Sequence, residues 1–488
     1  MEEALRLKAP AAAGIARRVR RPLWLAGFLL AAFLAILVLP PIAILLEGGL
    51  SHADARGGFS AWTLDHYRKL FTRDLLELLL NSTVFAAGAT TISLAIGGAL
   101  AWLVERTNTP FKKIAYATTI ISLGTPYVLY VTAWLFLFGR AGPFNDLYRT
   151  LTGARDSLIN IYSLGGMIMI EGLLWSPLVF LLMASTFRAA NADLEEAARM
   201  SGAGALDTLL RVTLPMAKPA TLALALFVFI RNVEAFEVPA LVGLPGNVRV
   251  LTTDIYLSIR TVPPDHGHAS AFSTLLLLAV GVLLHFYGRL SRNAERFHSV
   301  TGKGYRPRPF DLGVWRWLGA AIVLLNFALI LLLPMLALLW LSLQRFVRPI
   351  SLDGFKSLSL RNFQAVFSSP SYIELTANTL TAAAGAALIV VALSLVAAWF
   401  AARRKPFGQV VDQLMTMPLI FPGVVLAVAM LQIALRGQYY VTRSTEAQLT
   451  NITATGKRQV TDISGSALMD NVQDLLLGAQ IAAIYRLF

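Results

Sequence analysis

Nine apolar runs, each about as long as a membrane is thick, constrain this chain more than any other feature. A helix needs about 20 apolar residues to cross roughly 30 Å of hydrocarbon. Runs of that kind lie near 24–46, 79–104, 115–138, 162–186, 219–241 and 268–288, then near 317–341, 377–402 and 410–435. In lipid every backbone polar group has to be satisfied within a helix or a closed barrel, and runs this long predict an all-α, polytopic membrane protein. The balance of 56% hydrophobic against 14% charged residues in 488 agrees with that class and not with a soluble domain. Lys and Arg number 42 against 28 Asp and Glu. The basic residues cluster just outside the apolar runs, so they read as topology determinants facing membrane lipid, and no nucleic-acid partner is expected. Trp24, Trp102, Trp175 and Trp317 lie near the ends or flanks of runs and read as interfacial aromatics. The absence of cysteine rules out disulfides, thiolate metal sites and cysteine nucleophiles.

The basic flanks orient the runs. Arg17, Arg18, Arg20 and Arg21 precede the first, with no small-residue cleavage site after a short apolar core, so residues 1–22 read as a cytoplasmic N-terminus rather than a removed signal. Arg106, Lys112 and Lys113 come after the second run, and Arg188, Arg199, Arg211 and Lys218 after the fourth. Arg289, Arg292, Arg296, Lys303, Arg306 and Arg308 come after the sixth, and Arg403, Arg404 and Lys405 after the eighth. Every even-numbered exit is basic, the positive-inside pattern, although Arg56, Arg68, Lys69 and Arg140 on the other side make the bias incomplete. The segment after the fourth run is therefore expected to face the cytoplasm.

That segment holds a polar insert, residues 195–215. Glu195 and Glu196 suit the positive end of a helix dipole, and Asp193 stands where an N-cap would. Leu194, Ala197, Ala198 and Ser201 share one small, mildly apolar face, and Arg199 lies four residues after Glu195 and three after Glu196. Gly202 and Gly204 break this helix, and a second short pattern, Leu206, Leu209 and Leu210, is expected to stop before Pro215. Two short helices about a glycine bend, with charge at the start, have the shape of something laid in another protein's groove.

The order Glu196-Ala197-Ala198, three residues, Gly202, nine residues, Val212-x-Leu214-Pro215 resembles the EAA motif of ABC-type importer permeases and matches every fixed position. The resemblance implies a bacterial inner-membrane subunit whose loop 195–215 is a coupling helix docked on separate cytoplasmic ATPase subunits, fed by a periplasmic substrate-binding protein. It makes Glu196, Ala197, Ala198, Gly202, Leu214 and Pro215 the coupling residues. The run FEVPALVGLPG at 236–246 further resembles the fused iron(III)-type permeases, which points to ferric cargo; thiamine, polyamine and phosphonate permeases share the architecture.

The chain also repeats itself. Asn81, Gly88, Ala101 and Trp102 match Asn378, Gly385, Ala398 and Trp399 at an offset of 297. Pro110-Phe111 and Pro126 match Pro406-Phe407 and Pro422 at 296. A tandem six-helix permease module is expected: a first copy over 23–290, a cytoplasmic linker over 291–316, and a partial second copy over 317–436. Residues 437–488 are polar, do not resemble 141–192, and read as a truncated or divergent tail, so the second EAA segment expected near residue 493 is missing from this chain.

Arg231, Glu234 and Glu237 fall at i, i+3, i+6 within the fifth run, and as charges at bilayer depth they read as a polar stripe lining a translocation path. Pro239, Gly243, Pro245 and Gly246 mark a gate or a span terminus just beyond. Glu171 reads as a snorkelling or capping residue near an interface, and His266 and His268 as solvated loop imidazoles rather than metal ligands. The chain has no GxxxxGK[ST], no HExxH and no GxSxG, so neither an enzyme, a cofactor nor its own ATPase site is expected. An ion-gradient-driven secondary transporter, using the charged stripe for coupling, is the alternative from a different class.

Overall fold

The computed structural model describes residues 9–53, 59–189, 192–295, 309–347, 350, 352–403 and 405–435. Arg56, Arg296 through Arg308 in the linker, Arg404 and the 437–488 tail lie outside the described residues, as do the side chains of Arg17 through Arg21. Among the described residues the regular structure is helical, apart from a short hairpin of β1 (Ser51–Ala53) and β2 (Phe59–Trp62) and an isolated bridge between Thr107 and Phe310. In order, the first helices are α1 (Ala9–Gly49), α2 (Asp65–Leu70), α3 (Arg73–Arg106), α4 (Lys112–Leu123), α5 (Tyr127–Phe138), α6 (Pro143–Thr152) and α7 (Leu164–Ala189). Then come α8 (Ala192–Met200), α9 (Ala205–Thr208), α10 (Leu214–Val233), α11 (Leu251–Arg260) and α12 (His266–Glu295). The remainder are α13 (Arg316–Phe327), α14 (Leu333–Leu343), α15 (Leu352–Lys356), α16 (Arg361–Ser368), α17 (Pro370–Ala402), α18 (Gly408–Thr416) and α19 (Gly423–Leu435).

Seven stretches among the described residues are long and apolar enough to span alone: Leu23–Gly49, Arg73–Arg106, Leu164–Ala189, Ala205–Val233, His266–Ser291, Gly313–Leu343 and Pro370–Ala402. The third and ninth apolar runs are not the continuous helices that their length predicts. The third bends by 108° between α4 and the stretch beginning at Tyr127, and the ninth by 103° before α19. Pro126 and Pro422 sit at the two breaks; a proline removes one helical hydrogen bond and its ring disfavours helical backbone in the residue before it. Each bent pair also begins alike. Phe111 caps α4 and Phe407 caps α18, both at φ 64°, a left-handed conformation uncommon for a bulky aromatic residue.

One compact unit draws on residues within 71–257 and 278–368. Its centre is the pair α3 and α7, which approach closely where glycines remove side chains, as membrane helices commonly do. A Cβ at Gly97 would stand 2.6 Å from the Ser176 carbonyl oxygen and 2.7 Å from the Phe180 nitrogen, and one at Gly172 2.6 Å from the Ile92 side chain. Phe85, Trp134, Met167 and Ile170 fill one end of this core, and Phe180, Met183, Phe187 and Val228 the other. Trp175, expected at an interface, is buried instead in the middle of α7. The other unit draws on residues within 1–70, 258–277 and 369–488. There α1 packs on α18 around Ala31, Leu34, Val411 and Leu414, and Phe407 meets Trp24 and Phe28 edge-on at ring centroids 5.2 and 5.8 Å apart.

The fifth span also departs from its expected limits. It begins at Ala205, well before the apolar run does, and ends at Val233 rather than near 241. The segment Pro239–Gly243 is a separate helical turn, so the Pro/Gly cluster lies beyond a span terminus.

Candidate functional site

The insert after α7 folds into two short helical pieces about a glycine. Helix α8 ends in paired hydrogen bonds, Gly202 N–H to the Arg199 carbonyl (2.9 Å) and Ala203 N–H to the Ala198 carbonyl (3.0 Å). This termination needs a left-handed residue, and Gly202 supplies it at φ 87°. Asp193 lies within the first turn of α8 rather than capping it, because the helix already includes Ala192. The second piece does not stop before Pro215. From Ala205 the helix runs through a wide turn at Leu209–Thr213 into α10. In that turn Leu214 N–H reaches back five residues to the Leu209 carbonyl, so the helix has already changed register where the proline, lacking an N–H, enters at the first turn of α10.

Two neighbouring glutamates have different surroundings. Glu195 is buried: its Oε2 lies 3.5 Å from Arg106 Nη1, and its Oε1 accepts a 2.7 Å hydrogen bond from the Thr213 hydroxyl. One carboxylate thus ties α8 to the end of α3 and to the turn before α10. Removing one partner of a buried ion pair costs about 3–5 kcal/mol, because the other charge stays buried. Arg199 adds a second tie, its guanidinium 4.7 Å from the centre of the Phe310 ring. Phe310 is itself held on the end of α3, its N–H donating to the Arg106 carbonyl (2.7 Å) and its carbonyl accepting from Asn108 N–H (3.0 Å).

The other side of the loop looks outward. Leu194, Ala197, Ser201 and Gly202 are exposed, Glu196 and Ala198 half-buried, and Met200, Leu206 and Leu210 exposed beside them. Leu214 and Pro215 are exposed on the first turn of α10. The small apolar face read from the sequence therefore points away from the protein's own core. Sequence reasoning missed Glu195, Arg106, Thr213 and Phe310 as the anchor; Arg106 reads in the sequence as one more positive flank.

The charged stripe is only partly assembled. Arg231 pairs with the buried Glu234, but α10 ends at Val233, so Glu237 opens a new segment and stands exposed. The helix cannot continue the i, i+3, i+6 row, because its last turns are held elsewhere. Asn232 Nδ2 reaches Thr90 Oγ1 of α3 (3.0 Å), and the Thr252 hydroxyl satisfies the Ala235 carbonyl (2.7 Å). Glu171 neither snorkels nor caps a helix end. It is buried in α7, accepts a 2.9 Å hydrogen bond from Trp175 Nε1, and lies within electrostatic range of Arg231 and Glu237. A carboxylate inside a 26-residue apolar helix was the available signal for it. His266 and His268 occupy the first turn of α12 rather than a loop.

Comparison with known proteins bears on what such an assembly is. A family model described as binding-protein-dependent transport system inner membrane component matches residues 70–296. A Streptomyces antibioticus product described as an ABC transporter permease protein is 30% identical over 230 residues, which are 46% of this chain and 91% of that one. The chain belongs to this permease family. It is an ABC importer permease subunit, a membrane transport component. The permease is also 28% identical to the spermidine/putrescine transport system permease protein of Escherichia coli over 261 residues, 52% of this chain and 92% of that one. To the ferric transport system permease protein of Actinobacillus pleuropneumoniae it is 24% identical over 238 residues, 49% of this chain and 34% of that one.

Proposed function

We propose that this permease couples to a separate cytoplasmic ATPase through residues 195–215 and imports a cation handed over by a periplasmic binding protein. The observation that carries the reading is the two-sided loop: one side fastened by Glu195 to Arg106, the other presenting Leu194, Ala197 and Met200 outward. A helix fixed to the spans behind it and apolar in front can pass a partner's movement to those spans. On this reading ATP-driven closure of the ATPase pair moves α8, and α3, α7 and α10 reorient with it. Glu196 orients the docked helix, Ala197 and Ala198 permit close approach, Gly202 makes the bend, and Leu214 and Pro215 begin the rigid span. On this reading the protein sits in a bacterial inner membrane with its N-terminus inside, the orientation that the basic even-numbered exits favour.

For the cargo, buried Glu171 and Glu234 with exposed Glu237 outnumber Arg231 on the candidate path, which favours a cation. Ferric ion is the cargo that the 236–246 resemblance favours; a polyamine is the second reading, favoured by the longer alignment to the spermidine/putrescine relative. We also infer that residues 23–290 and 317–436 derive from one duplicated module, supported by the left-handed Phe111 and Phe407 and by breaks at Pro126 and Pro422, all at the same offset of 296.

The test is Glu196→Lys in the permease co-expressed with its ATPase. Membrane insertion should be unchanged and cargo-stimulated ATP hydrolysis lost; normal stimulated hydrolysis would refute the docking role. Failure of any ATPase to co-purify with the unaltered chain would favour the gradient-driven alternative.

A further inference from the structure

At the opposite end of α7 from the coupling loop lies a cavity of about 450 Å³ whose lining includes Phe138, Arg140, Arg149, Arg155, Asp156 and Tyr162. Its walls are held in place from below. Asn145 is fully buried, and its side-chain amide donates to the carbonyls of Phe138 (2.9 Å), Gly139 (2.9 Å) and Ile159 (3.2 Å) while its oxygen accepts from Ile159 N–H (3.2 Å). One side chain thereby joins the end of α5 to the irregular segment that leads into α7. Arg149 is committed to the frame as well, pairing with Asp146 and donating to the Arg140 carbonyl at 2.7 Å. Arg140 and Arg155 are different. Both are exposed at the cavity, and among the described residues neither guanidinium has an ion-pair partner; Asp156 lines the same cavity without closing on either. The fold therefore holds two unspent guanidinium forks on a rigid frame, beside an aromatic and aliphatic floor.

We propose that this cavity is a docking socket for an acidic segment of a soluble protein partner. Guanidinium forks match carboxylates two bonds at a time, and arginine clusters are a recurring way of reading acidic peptides. The 26 residues of α7 span about 39 Å at 1.5 Å per residue, so the socket and α8 lie at opposite faces of a bilayer. The inference rests on the proposed function only for the side of the membrane: with α8 cytoplasmic, the socket faces outward, where a binding protein would approach.

The experiment uses the full chain in nanodiscs of zwitterionic phosphatidylcholine and a fluorescent hexaglutamate peptide as probe. Hexaglutamate should bind, hexalysine should not, and affinity should fall at least about tenfold as sodium chloride rises from about 50 to 500 mM. Arg140→Glu with Arg155→Glu should abolish binding, and the Gln pair should weaken it at least about tenfold. Arg68→Glu with Lys69→Glu, an equal change of charge at exposed side chains that do not line the cavity, should leave it intact. Equal loss in that control would overturn the proposal in favour of bulk charge. Displacement of the peptide by millimolar inorganic phosphate would make this a small-anion site, and displacement by phosphatidylglycerol in the disc a lipid site; either result overturns it. None of these readouts needs an ATPase, so they fail or succeed independently of the Glu196→Lys test.

Discussion

Helix α3 has 34 residues and α17 has 33, and a shift of 297 lays one on the other with Asn81 on Asn378, Gly88 on Gly385 and Arg106 on Arg403. Their surroundings differ far more than their sequences. In the most apolar stretch of α3, 44% of the residues are buried; in that of α17, 6%. The hydroxyls of α3 are used by neighbours: Ser93 Oγ lies 3.0 Å from the Gly172 carbonyl, Thr90 accepts from Asn232, and Ser82 accepts from Leu251 N–H. Among the described residues, Thr376, Thr379 and Thr381 of α17 bond only to carbonyls four residues back in their own helix. A Cβ at Gly88 would meet Ile168 at 2.9 Å; at Gly385 nothing among the described residues lies within 4 Å. Small and hydroxylated residues in a membrane helix can be contacts or simply be lipid-facing, and position along the helix does not distinguish the two.

The comparison is sharpest at the arginines. Arg106 is buried and paired with Glu195, whereas Arg403 is exposed. Arg106→Ala should destabilise its unit by about 3–5 kcal/mol, since Glu195 would be left charged and buried. Arg403→Ala should stay within about 0.5 kcal/mol. Thermal unfolding in detergent, followed by tryptophan fluorescence, measures both. Glu195→Ala should cost a similar amount, and the double replacement of Arg106 and Glu195 less than the sum of the two single changes. Equal effects at 106 and 403 would show that the buried pair contributes nothing.

Glycine tests the same difference at a smaller scale. Gly97→Val would drive its side chain into the backbone of Ser176 and Phe180, which cannot rotate away, and should cost about 1–3 kcal/mol. Gly385→Val should be neutral or mildly stabilising in the same melting assay. Below these comes Asn232→Ala, which removes the inter-helix hydrogen bonds to Thr90 (3.0 Å) and to the Ala86 carbonyl (3.4 Å) and should cost about 0.6 kcal/mol. A larger loss than Gly97→Val produces would mean that polar ties, not close packing, hold α3.

How much of the fold and the coupling loop is legible in the sequence depends on the kind of information apolar patterning carries. The nine runs and the helical class come directly from run length, because lipid leaves few alternatives. The prolines at 126 and 422 are visible, but an apolar run continues through each, and hydropathy does not register a bend of 108° or 103°. Periodicity groups Leu194, Ala197, Ala198 and Ser201 on one face, yet it cannot say that the face looks outward, because an apolar face awaiting a partner and one packed on a core have the same spacing. Glu195 and Arg106 stand 89 positions apart, and nothing local joins them. The row Arg231, Glu234, Glu237 fails for a different reason: it assumes a helix that tertiary hydrogen bonds from Asn232 and Thr252 end early.

The smallest effect concerns how the two helices exit. Between Arg106 and Pro110 lie three residues, and between Arg403 and Pro406 two, which is where the offset drops from 297 to 296. The extra length lets Thr107 to Thr109 run extended and pair with Phe310. Asp311 latches that pairing: its Oδ1 accepts from Gly313 N–H (2.9 Å) and from the Asn108 amide (2.5 Å), and these two bonds, the first more than the second, hold its carboxyl below the usual range. A carboxylate whose pKa falls on folding contributes stability above its unfolded value, near 3.9, and loses it as pH drops through the folded value. Amide exchange at Phe310 and Leu312 should therefore be slow at neutral pH, after correction for intrinsic rates, and should lose protection below about pH 4. Asp311→Asn should remove that acid dependence while leaving the Arg199 contact with Phe310 in place. Protection that is flat with pH in the unaltered chain would show that the pairing with Phe310 stands without the latch.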